Sequence, residues 1–342
     1  MGSVLIMQKY KVAVIGLGKI GMTYDLMRMS GGPFSHAFAY KNNQKFEVVA
    51  GVDPLATASA KFLEIFPKGK FYLDYEQMLR ENKIEAVSIC TPQQYHFEQI
   101  KTVLKHKTTR LIFCEKPIVN NVTEYLQLKK IMQDSNCVLM PNISRRFNLG
   151  LQEIKKLLEQ NIIGEIQKVH IRYTRGIYNT GAHMFDLLSW WIGKIDAVQT
   201  IKKIPTSSEL EGENSYSFNF IIGDIVGYAE AFDDQQYYLF EFDIYGSRGK
   251  IEFRKSGDEV FIRNVGTHSL FPEHKELKSH GEKRNLLASS NFTLAMENIA
   301  EILAGKAEPI CRLEDAAYPL YVAQAIELSE KTKTWERIEY ER

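Results

Sequence analysis

The stretch YKVAVIGLGKIG, residues 10–21, decides the fold. A β-rich run leads into Gly16, Gly18 and Gly21, which form the GxGxxG frame of a turn between a strand and a helix. In such a turn the backbone approaches a pyrophosphate closely, and the amides and dipole of the helix N-terminus favour its negative charge. Glycines also serve ordinary turns, so the frame predicts dinucleotide binding only because a strand and a helix flank it.

Four further apolar runs follow without polar alternation. They are FEVVAGVD at 46–53, EAVSICTP at 85–92, RLIFCEKP at 110–117 and CVLMPNIS at 137–144. Amphipathic segments separate them, which is typical of a parallel sheet covered by helices on both faces. We predict a doubly wound α/β Rossmann domain that binds NAD over residues 9–140.

The second half of the chain has a different pattern. Runs such as IQKVHIRYTRG at 166–176 and YYLFEFDIYG at 237–246 alternate polar and apolar residues. Alternation with short turns indicates a large, mostly antiparallel open sheet with one face against helices. We predict an α+β domain over residues 141–342.

Composition excludes some classes of partner. Lys and Arg total 43 against 42 Asp and Glu, so no net field draws the chain to nucleic acid or to an anionic membrane. No stretch approaches the roughly 18 apolar residues of a membrane helix, and the N-terminal apolar run is too short for a secretory signal. We expect a cytoplasmic protein with a small-molecule substrate.

The four cysteines carry no metal or redox motif. Cys90, Cys114, Cys137 and Cys311 are widely spaced, without a CxxC pair or a zinc-type Cys/His cluster. We therefore predict buried free thiols in a reducing compartment and no metal site.

Asp53, at the end of the second apolar run, is the acidic partner that dinucleotide binding requires. Its carboxylate would accept hydrogen bonds from the adenosine ribose and repel a 2′-phosphate, which favours NAD over NADP. It follows Gly21 by 32 positions, more than the roughly 20 of the fingerprint. The excess fits a loop in MRMSGGPFSH, residues 27–36, that interrupts the helix. The alternative is a turn Asp before Pro54.

Ligands of open parallel sheets collect at the carboxyl ends of the strands. Thr91 and Pro92 would line the nicotinamide side there, and His96 would be a structural or cofactor-shelf residue rather than a proton carrier. Lys116, beside Glu115, could stabilise a developing alkoxide. The alternative for this pair is an ordinary salt bridge at a strand end.

The order of these motifs resembles the Gfo/Idh/MocA family of oxidoreductases from about Lys11 to about Lys333. The matching segments are GLGKIG, VDP, CTP with a His four residues beyond the Pro, CEKP, RRF at 145–147, GIYNTGAHMFDLLSWWIG at 176–193, YGSRGKIEF at 245–253 and the helical segment from Phe292. The resemblance implies that the domain over residues 141–342 serves substrate binding and oligomerisation, with a homodimer or homotetramer formed through its sheet. It also implies a C-terminal helix that can return to brace the first domain.

The resemblance also implies the reactive groups. The family's Asp-x-x-x-His frame reads NTGAH here, so His183 matches as general acid/base while Asn179 replaces the Asp. A neutral amide can orient an imidazole or a sugar hydroxyl but does not stabilise imidazolium as a carboxylate does. Asp186 could partly replace the charge; the alternative is a solvated or helix-capping Asp in the first turn of the helix.

These expectations assign a set of residues to each role. The cofactor site would comprise Gly16, Gly18, Lys19, Ile20, Gly21, Asp53, Thr91, Pro92, His96, Glu115 and Lys116. The substrate site would comprise Lys116, Arg146, Tyr178, Asn179 and His183, of which Lys116, His183 and Asn179 would be catalytic. Arg145, Arg172, Tyr173 and Arg175 could extend a polar substrate wall, although surface arginines are the common alternative.

The predicted function is NAD(H)-dependent hydride transfer at a carbinol or keto carbon of a sugar, polyol or nucleotide sugar. Two alternatives stay open at this stage. One is a glycosidase that uses NAD in a transient redox cycle, and the other is a sensor that binds NAD and a sugar without turnover.

Overall fold

The computed structural model describes residues 9–27, 31–207, 213–255, 259–285 and 290–340. Its chain divides into two compact units. The first contains the described residues of Met1–Phe147 and Ser289–Ala317, and the second those of Asn148–Ala288 and Tyr318–Arg342.

The first unit is built on a six-stranded parallel sheet. Its strands are β1 Tyr10–Ile15, β2 Phe46–Val52, β3 Lys70–Tyr72, β4 Ala86–Ile89, β5 Leu111–Glu115 and β6 Val138–Asn142. The order β3-β2-β1-β4-β5-β6 is that of a dinucleotide-binding doubly wound fold, which confirms the predicted fold class. Helices α1 His36–Lys41, α2 Ala58–Ile65, α3 Tyr75–Glu81, α4 His96–Leu104 and α5 Val122–Gln133 connect the strands.

The helix expected after the glycine turn is short. A π-helical turn, Lys19–Thr23, follows the glycines, and α1 begins only at His36. The predicted interruption at 27–36 falls in this interval, although residues 28–30 lie outside the described part of the chain.

The second unit carries a ten-stranded sheet. Helix α6 Leu149–Glu159 comes first, then β7 Ile166–Tyr173, α7 Gly181–Trp191, β8 Ala197–Pro205, β9 Asn214–Ile222, β10 Ile225–Ala231, β11 Phe240–Gly246, β12 Gly249–Arg254, β13 Glu259–Thr267, β14 Lys275–Leu277, β15 Glu282–Asn285 and β16 Glu336–Arg337. Only the pairing of β7 with β10 is parallel among the described strand pairs, so the mostly antiparallel sheet is confirmed.

One face of this sheet packs on apolar helices and the other is charged. Trp191 of α7 stacks edge-on against Phe242 and Phe253, with ring centroids 5.8 and 6.0 Å away. On the opposite face Asp243, which is 3% exposed, accepts from Arg172 at 2.8 Å and from Arg254 at 2.6 Å. We call this second side the polar sheet face.

The domain limits differ from those predicted at the last helices, α8 Asn291–Leu303 and α9 Leu313–Thr332. Phe292, Met296 and Ile299 of α8 belong to the same buried cluster as Phe113 and Phe147. The second domain is therefore not the continuous stretch 141–342, because residues through Phe147 and the segment Ser289–Ala317 belong to the first unit.

The prediction that the four cysteines are buried free thiols is confirmed. In the described part of the chain, no helix has both the length and the apolar composition needed to cross a bilayer.

Candidate functional site

The glycine turn leaves no room for side chains at two of its three glycines. Gly16 has a φ of +89°, donates its N–H to the carbonyl of Val52 at 2.8 Å, and would place a Cβ 2.8 Å from the carbonyl carbon of Cys90. A Cβ on Gly21 would lie 1.9 Å from the Gly16 oxygen. Both positions therefore require glycine if the turn is to lie against the end of β4.

Gly18 differs from its neighbours. No described atom lies within 4 Å of the position where its Cβ would be. Its carbonyl accepts hydrogen bonds from the amides of Met22 and Thr23 at 2.9 and 3.0 Å. These bonds fix the turn that contains Lys19 and Ile20. The open space at Gly18 is what close approach of a pyrophosphate requires.

Asp53 lies next to this turn. Its Oδ2 accepts the Leu17 amide at 3.0 Å and its Oδ1 accepts the Leu55 amide at 2.9 Å. These bonds fix the partly exposed carboxylate at the end of β2. A carboxylate oxygen has two lone pairs, so each can still accept a ribose hydroxyl.

His96 connects two strand ends. It is 1% exposed, and its ring nitrogens lie 2.7 Å from the Thr91 carbonyl and 2.8 Å from the Pro117 carbonyl. Burial lowers its pKa, although the two carbonyls oppose that shift. Backbone carbonyls thus lie against both ring nitrogens, and the structural or cofactor-shelf role of His96 stays a prediction. Thr91 also donates its hydroxyl to Gln99 at 2.6 Å, and Pro92 precedes the short helical turn Gln93–Tyr95.

Glu115 ends β5 and is held as a carboxylate. Its Oε1 lies 2.8 Å from His36 Nε2 and accepts from Asn142 Nδ2 at 2.5 Å. Burial opposes the charge, but the hydrogen bonds and charges of His36, Asn142 and Lys116 keep the pKa of Glu115 below its ordinary value. Lys116, half-buried, follows directly and begins a cis peptide bond to Pro117.

The residues that are hydrogen-bonded to Glu115, directly or through one another, were not predicted from the sequence. His36 Nδ1 lies 2.9 Å from the Ser88 hydroxyl, which lies 3.0 Å from the Tyr40 hydroxyl. Tyr40, Ser88, His36, Glu115 and Asn142 thus form one chain of hydrogen bonds, which we call the strand-end cluster. The one available signal was a polar residue within each of two apolar runs, Ser88 and Asn142.

In the second unit, the NTGAH segment, residues 179–183, contains the end of a π-helical turn, Gly176–Thr180, and the start of α7. Glu213, which is 8% exposed, accepts the amides of Tyr178 at 2.8 Å and Asn179 at 2.7 Å with the same oxygen. Gly176 has a φ of +77°, and a Cβ there would lie 2.1 Å from that oxygen. The turn before His183 is thus fixed by a carboxylate that sequence patterns did not reveal.

His183 and Asp186 lie on α7, and Tyr178 of the preceding turn contacts α9. His183 is half-buried in the first turn of α7. Tyr178 donates its hydroxyl to Glu327 at 2.9 Å, and burial together with Glu327 raises the pKa of Tyr178. Asp186 is 2% exposed and is the sixth residue of α7, so the solvated or capping role considered for it is wrong.

Arg146 also differs from expectation. It is 7% exposed, and its guanidinium pairs with Asp315 at 2.9 Å within the first unit. A guanidinium committed to such an ion pair contributes to the packing of the unit, so Arg146 is not retained among the substrate contacts that we propose. Arg172 is likewise ion-paired, to Asp243 and Glu241 on the polar sheet face.

Family models match both halves of the chain. A model described as an oxidoreductase family with an NAD-binding Rossmann fold matches residues 10–143. A model for the C-terminal alpha/beta domain of the same family matches residues 176–338. The chain belongs to the Gfo/Idh/MocA family of oxidoreductases.

The curated proteins that match this chain are distant relatives. D-glucoside 3-dehydrogenase of Escherichia coli is 22% identical over 98% of this chain and 99% of its own length. Inositol 2-dehydrogenase of Rhizobium meliloti is 24% identical over 54% of this chain and 55% of its own. An uncharacterized oxidoreductase of Schizosaccharomyces pombe is 28% identical over 47% of this chain and only 40% of its own length.

Solved structures share the fold over nearly the whole chain. The WlbA dehydrogenase from Bordetella pertussis, in complex with NADH and UDP-GlcNAcA, has a TM-score of 0.79 at 17% identity and covers 98% of this chain and 99% of its own. Levoglucosan dehydrogenase in complex with NADH has a TM-score of 0.77 at 15% identity, covering 98% and 100%.

NAD fits the first unit of this Gfo/Idh/MocA member. The open space at Gly18, the carboxylate of Asp53 and the ends of β4 and β5 lie at one edge of the sheet. The residues that would hold the dinucleotide are the glycine turn, Asp53 and Thr91. Among the described residues, no group of three or more His, Cys, Asp or Glu side chains could hold a metal ion.

We predict opposite outcomes for alanine at two glycines of the turn. Gly18→Ala should fold normally and weaken NADH binding about tenfold or more, because its methyl group enters the open space that the pyrophosphate needs. Gly16→Ala should lower the free energy of unfolding by about 2 kcal/mol or more, because of its positive φ and the clash with Cys90. Urea unfolding and NADH fluorescence titration measure both effects. Wild-type NADH affinity in Gly18→Ala would contradict this assignment.

We predict that Asp53→Asn narrows the preference for NADH over NADPH about tenfold, because it removes the charge that repels a 2′-phosphate. The amide oxygen can still accept the Leu17 N–H, which keeps the glycine turn in place, whereas the hydrogen bond from the Leu55 N–H is lost. Dissociation constants for the two cofactors give the ratio, with Glu47→Gln, at an exposed position of the same strand, as the control. An unchanged ratio would remove Asp53 from the cofactor site.

Proposed function

We propose that this protein is an NAD(H)-dependent oxidoreductase that moves hydride between nicotinamide and a carbinol or keto carbon of a sugar, polyol or nucleotide sugar. The observation that carries the proposal is the position of Lys116, directly after β5 at the edge where the glycine turn and Thr91 also lie. The names of its relatives, D-glucoside 3-dehydrogenase and inositol 2-dehydrogenase, support polyhydroxylated substrates.

Lys116 would hold and polarise the reacting oxygen. Oxidation of a carbinol develops negative charge on that oxygen, which an ammonium group stabilises in a partly buried site more than in water. The charge of Lys116 is one of the factors that keep the pKa of the neighbouring Glu115 carboxyl below its ordinary value. Bound NAD supplies the hydride acceptor at this site, and NADH the donor in the reverse direction.

His183 would exchange the hydroxyl proton, and Asn179 would orient either the imidazole or a substrate hydroxyl. The fixed backbone of the preceding turn supports this role, since Glu213 holds the amides of Tyr178 and Asn179. Tyr178, hydrogen-bonded to Glu327, would contribute a polar substrate contact.

We extend the proposal to assembly and location. The polar sheet face presents Arg172, Lys250 and Arg254 paired with Asp243 and Glu252, a charged surface that suits a polar interface between copies. We propose a homodimer or homotetramer formed through this sheet, in the cytoplasm.

Nicotinamide absorbance tests the proposal. The protein would be mixed with NAD or NADH and a panel of free, phosphorylated and nucleotide-linked sugars and their keto forms. A stoichiometric change with one compound supports the proposal and identifies its substrate class. Release of a sugar leaving group without net cofactor change would instead identify a glycosidase with a closed redox cycle, and NADH binding without turnover would identify a sensor.

We predict that Lys116→Met leaves NADH affinity within a few fold and lowers kcat at least a thousandfold, because the oxygen loses its cationic partner. The matched control is Lys107→Met, at an exposed lysine beyond α4. Steady-state kinetics and NADH titration measure the two quantities. Activity surviving in Lys116→Met would show that the lysine is not catalytic.

We predict that Asn179→Asp raises kcat/KM for oxidation about tenfold at its optimum and moves the acid limb of the pH profile to higher pH. A carboxylate beside His183 stabilises imidazolium, so the ring is a stronger base and needs a higher pH to be neutral. The pH dependence of kcat/KM checks this, with Asn161→Asp at an exposed turn as control. Identical profiles would mean that residue 179 does not act on His183.

A further inference from the structure

We propose that Glu213 is a positioning residue, which fixes the turn before His183 and excludes a second carboxylate from position 179. This gives a physical reason for the neutral Asn179 at the position where the Asp-x-x-x-His frame has its carboxylate. The effect of Glu213 on catalysis rests on the proposed function, whereas its contacts with the turn do not.

Residues at the start of β9 supply acceptors for the first amides of the turn that precedes α7. The Gly176 N–H donates to the Ser215 hydroxyl at 2.9 Å. The N–H groups of Tyr178 and Asn179 donate to Oε1 of Glu213 at 2.8 and 2.7 Å. Amides in the first turn of a helix have no acceptor within the helix, so these two side chains replace the missing acceptors.

The position of Glu213 is fixed from two sides. Glu213 is 8% exposed, and a Cβ at Gly176 would lie 2.1 Å from its Oε1, so the glycine leaves the space that this oxygen occupies. On the strand side, the Tyr173 hydroxyl accepts the Tyr216 N–H at 2.9 Å and donates to the Tyr216 carbonyl at 2.7 Å. The start of β9 is therefore attached to the end of β7, which leads into the turn.

A carboxylate at position 179 would lie close to that of Glu213. The carboxyl carbon of an Asp is within about 4 Å of its own backbone nitrogen, because only three bonds separate the two atoms. The Asn179 nitrogen is 2.7 Å from Glu213 Oε1, so the second charge would be within about 7 Å of the first. Like charges at that distance repel each other, whereas the neutral side chain of Asn179 adds no charge.

Hydrogen exchange at the Tyr178 amide, followed in the full chain by mass spectrometry with fragmentation to single amides, tests the positioning without cofactor or substrate. The intrinsic exchange rate of this amide depends on the side chains of residues 177 and 178, which no variant changes. Glu213→Ala should speed the exchange about tenfold or more, because the amide loses its acceptor. Glu213→Gln keeps an oxygen that can accept both N–H groups and should stay within about threefold of the wild type.

Asp234→Ala is the matched control. The Asp234 carboxylate also accepts a backbone N–H, that of Ser207 at 2.8 Å, but on a different loop of the same unit. Its removal should leave Tyr178 exchange within about twofold of the wild type. Thermal unfolding shows whether each variant folds; if Glu213→Ala does not, the comparison of Asn179→Asp in two backgrounds decides the proposal.

That comparison is a double-mutant cycle. Asn179→Asp should speed Tyr178 exchange about threefold or more in the wild type at low ionic strength, which is the factor that repulsion at about 7 Å gives even with the dielectric constant of water. In the Glu213→Gln background, the same change should alter exchange less than about twofold, because the new carboxylate then meets a neutral group.

The outcomes are distinct for the two proposals. Wild-type exchange in folded Glu213→Ala, or an equal effect of Asn179→Asp in both backgrounds, would overturn the role of Glu213. Faster exchange in Glu213→Ala together with a background-dependent effect of Asn179→Asp supports that role, even if no sugar is turned over, in which case the proposed function alone fails.

With a substrate in hand, the kinetic effect should be confined to the catalytic step. We expect Glu213→Ala to lower kcat about tenfold while NADH affinity stays within about twofold, with Glu213→Gln restoring most of the loss. The gain in kcat/KM expected of Asn179→Asp should be larger in Glu213→Gln than in the wild type, because the turn then carries one carboxylate instead of two.

Discussion

The carboxyl edge of the first unit's sheet depends on one close contact, in which Gly16 lies against the peptide that joins Cys90 to Thr91. It lies between β1 and β4, where the strand order reverses direction and where ligands of doubly wound sheets bind. A methyl group at Gly16 would separate the two strand ends. Because Asp53, Thr91 and Lys116 are all placed relative to this edge, the glycine turn sets the frame for the cofactor site.

The sequence allowed the architecture to be predicted because the architecture is encoded locally. Apolar runs without alternation identified the parallel strands, and alternation identified the open sheet. The end of β2 was recognisable in its own residues, so Asp53 was found despite an atypical distance from the glycines. The return of α8 to the first unit appeared only as an implication of family resemblance, because its apolar face gives no sign of which core it joins.

Sequence patterns could not identify side-chain partners that lie far apart in the chain. His36 is separated by 52 positions from Ser88 and by 79 from Glu115. It also follows the interruption of a helix, so its sequence surroundings did not indicate that it contacts the strand ends. Arg146 was expected to face substrate, but its partner Asp315 is 169 positions away. Glu213, at the start of β9, has no local signal either, although it fixes the turn before His183.

Both units are discontinuous in sequence, and this matters for a chain that is made from its N-terminus. When Phe147 has left the ribosome, α8 has not been synthesised, and 141 residues of the second unit separate the two parts. At roughly 5–20 residues per second this interval lasts about 7–30 seconds. Throughout it, Phe113, Met140 and Phe147 lack the apolar cover that Phe292, Met296 and Ile299 later provide. The apolar surface left exposed on the nascent first unit favours aggregation, so a fragment ending at residue 147 is an unfavourable choice for expressing the NAD-binding unit alone.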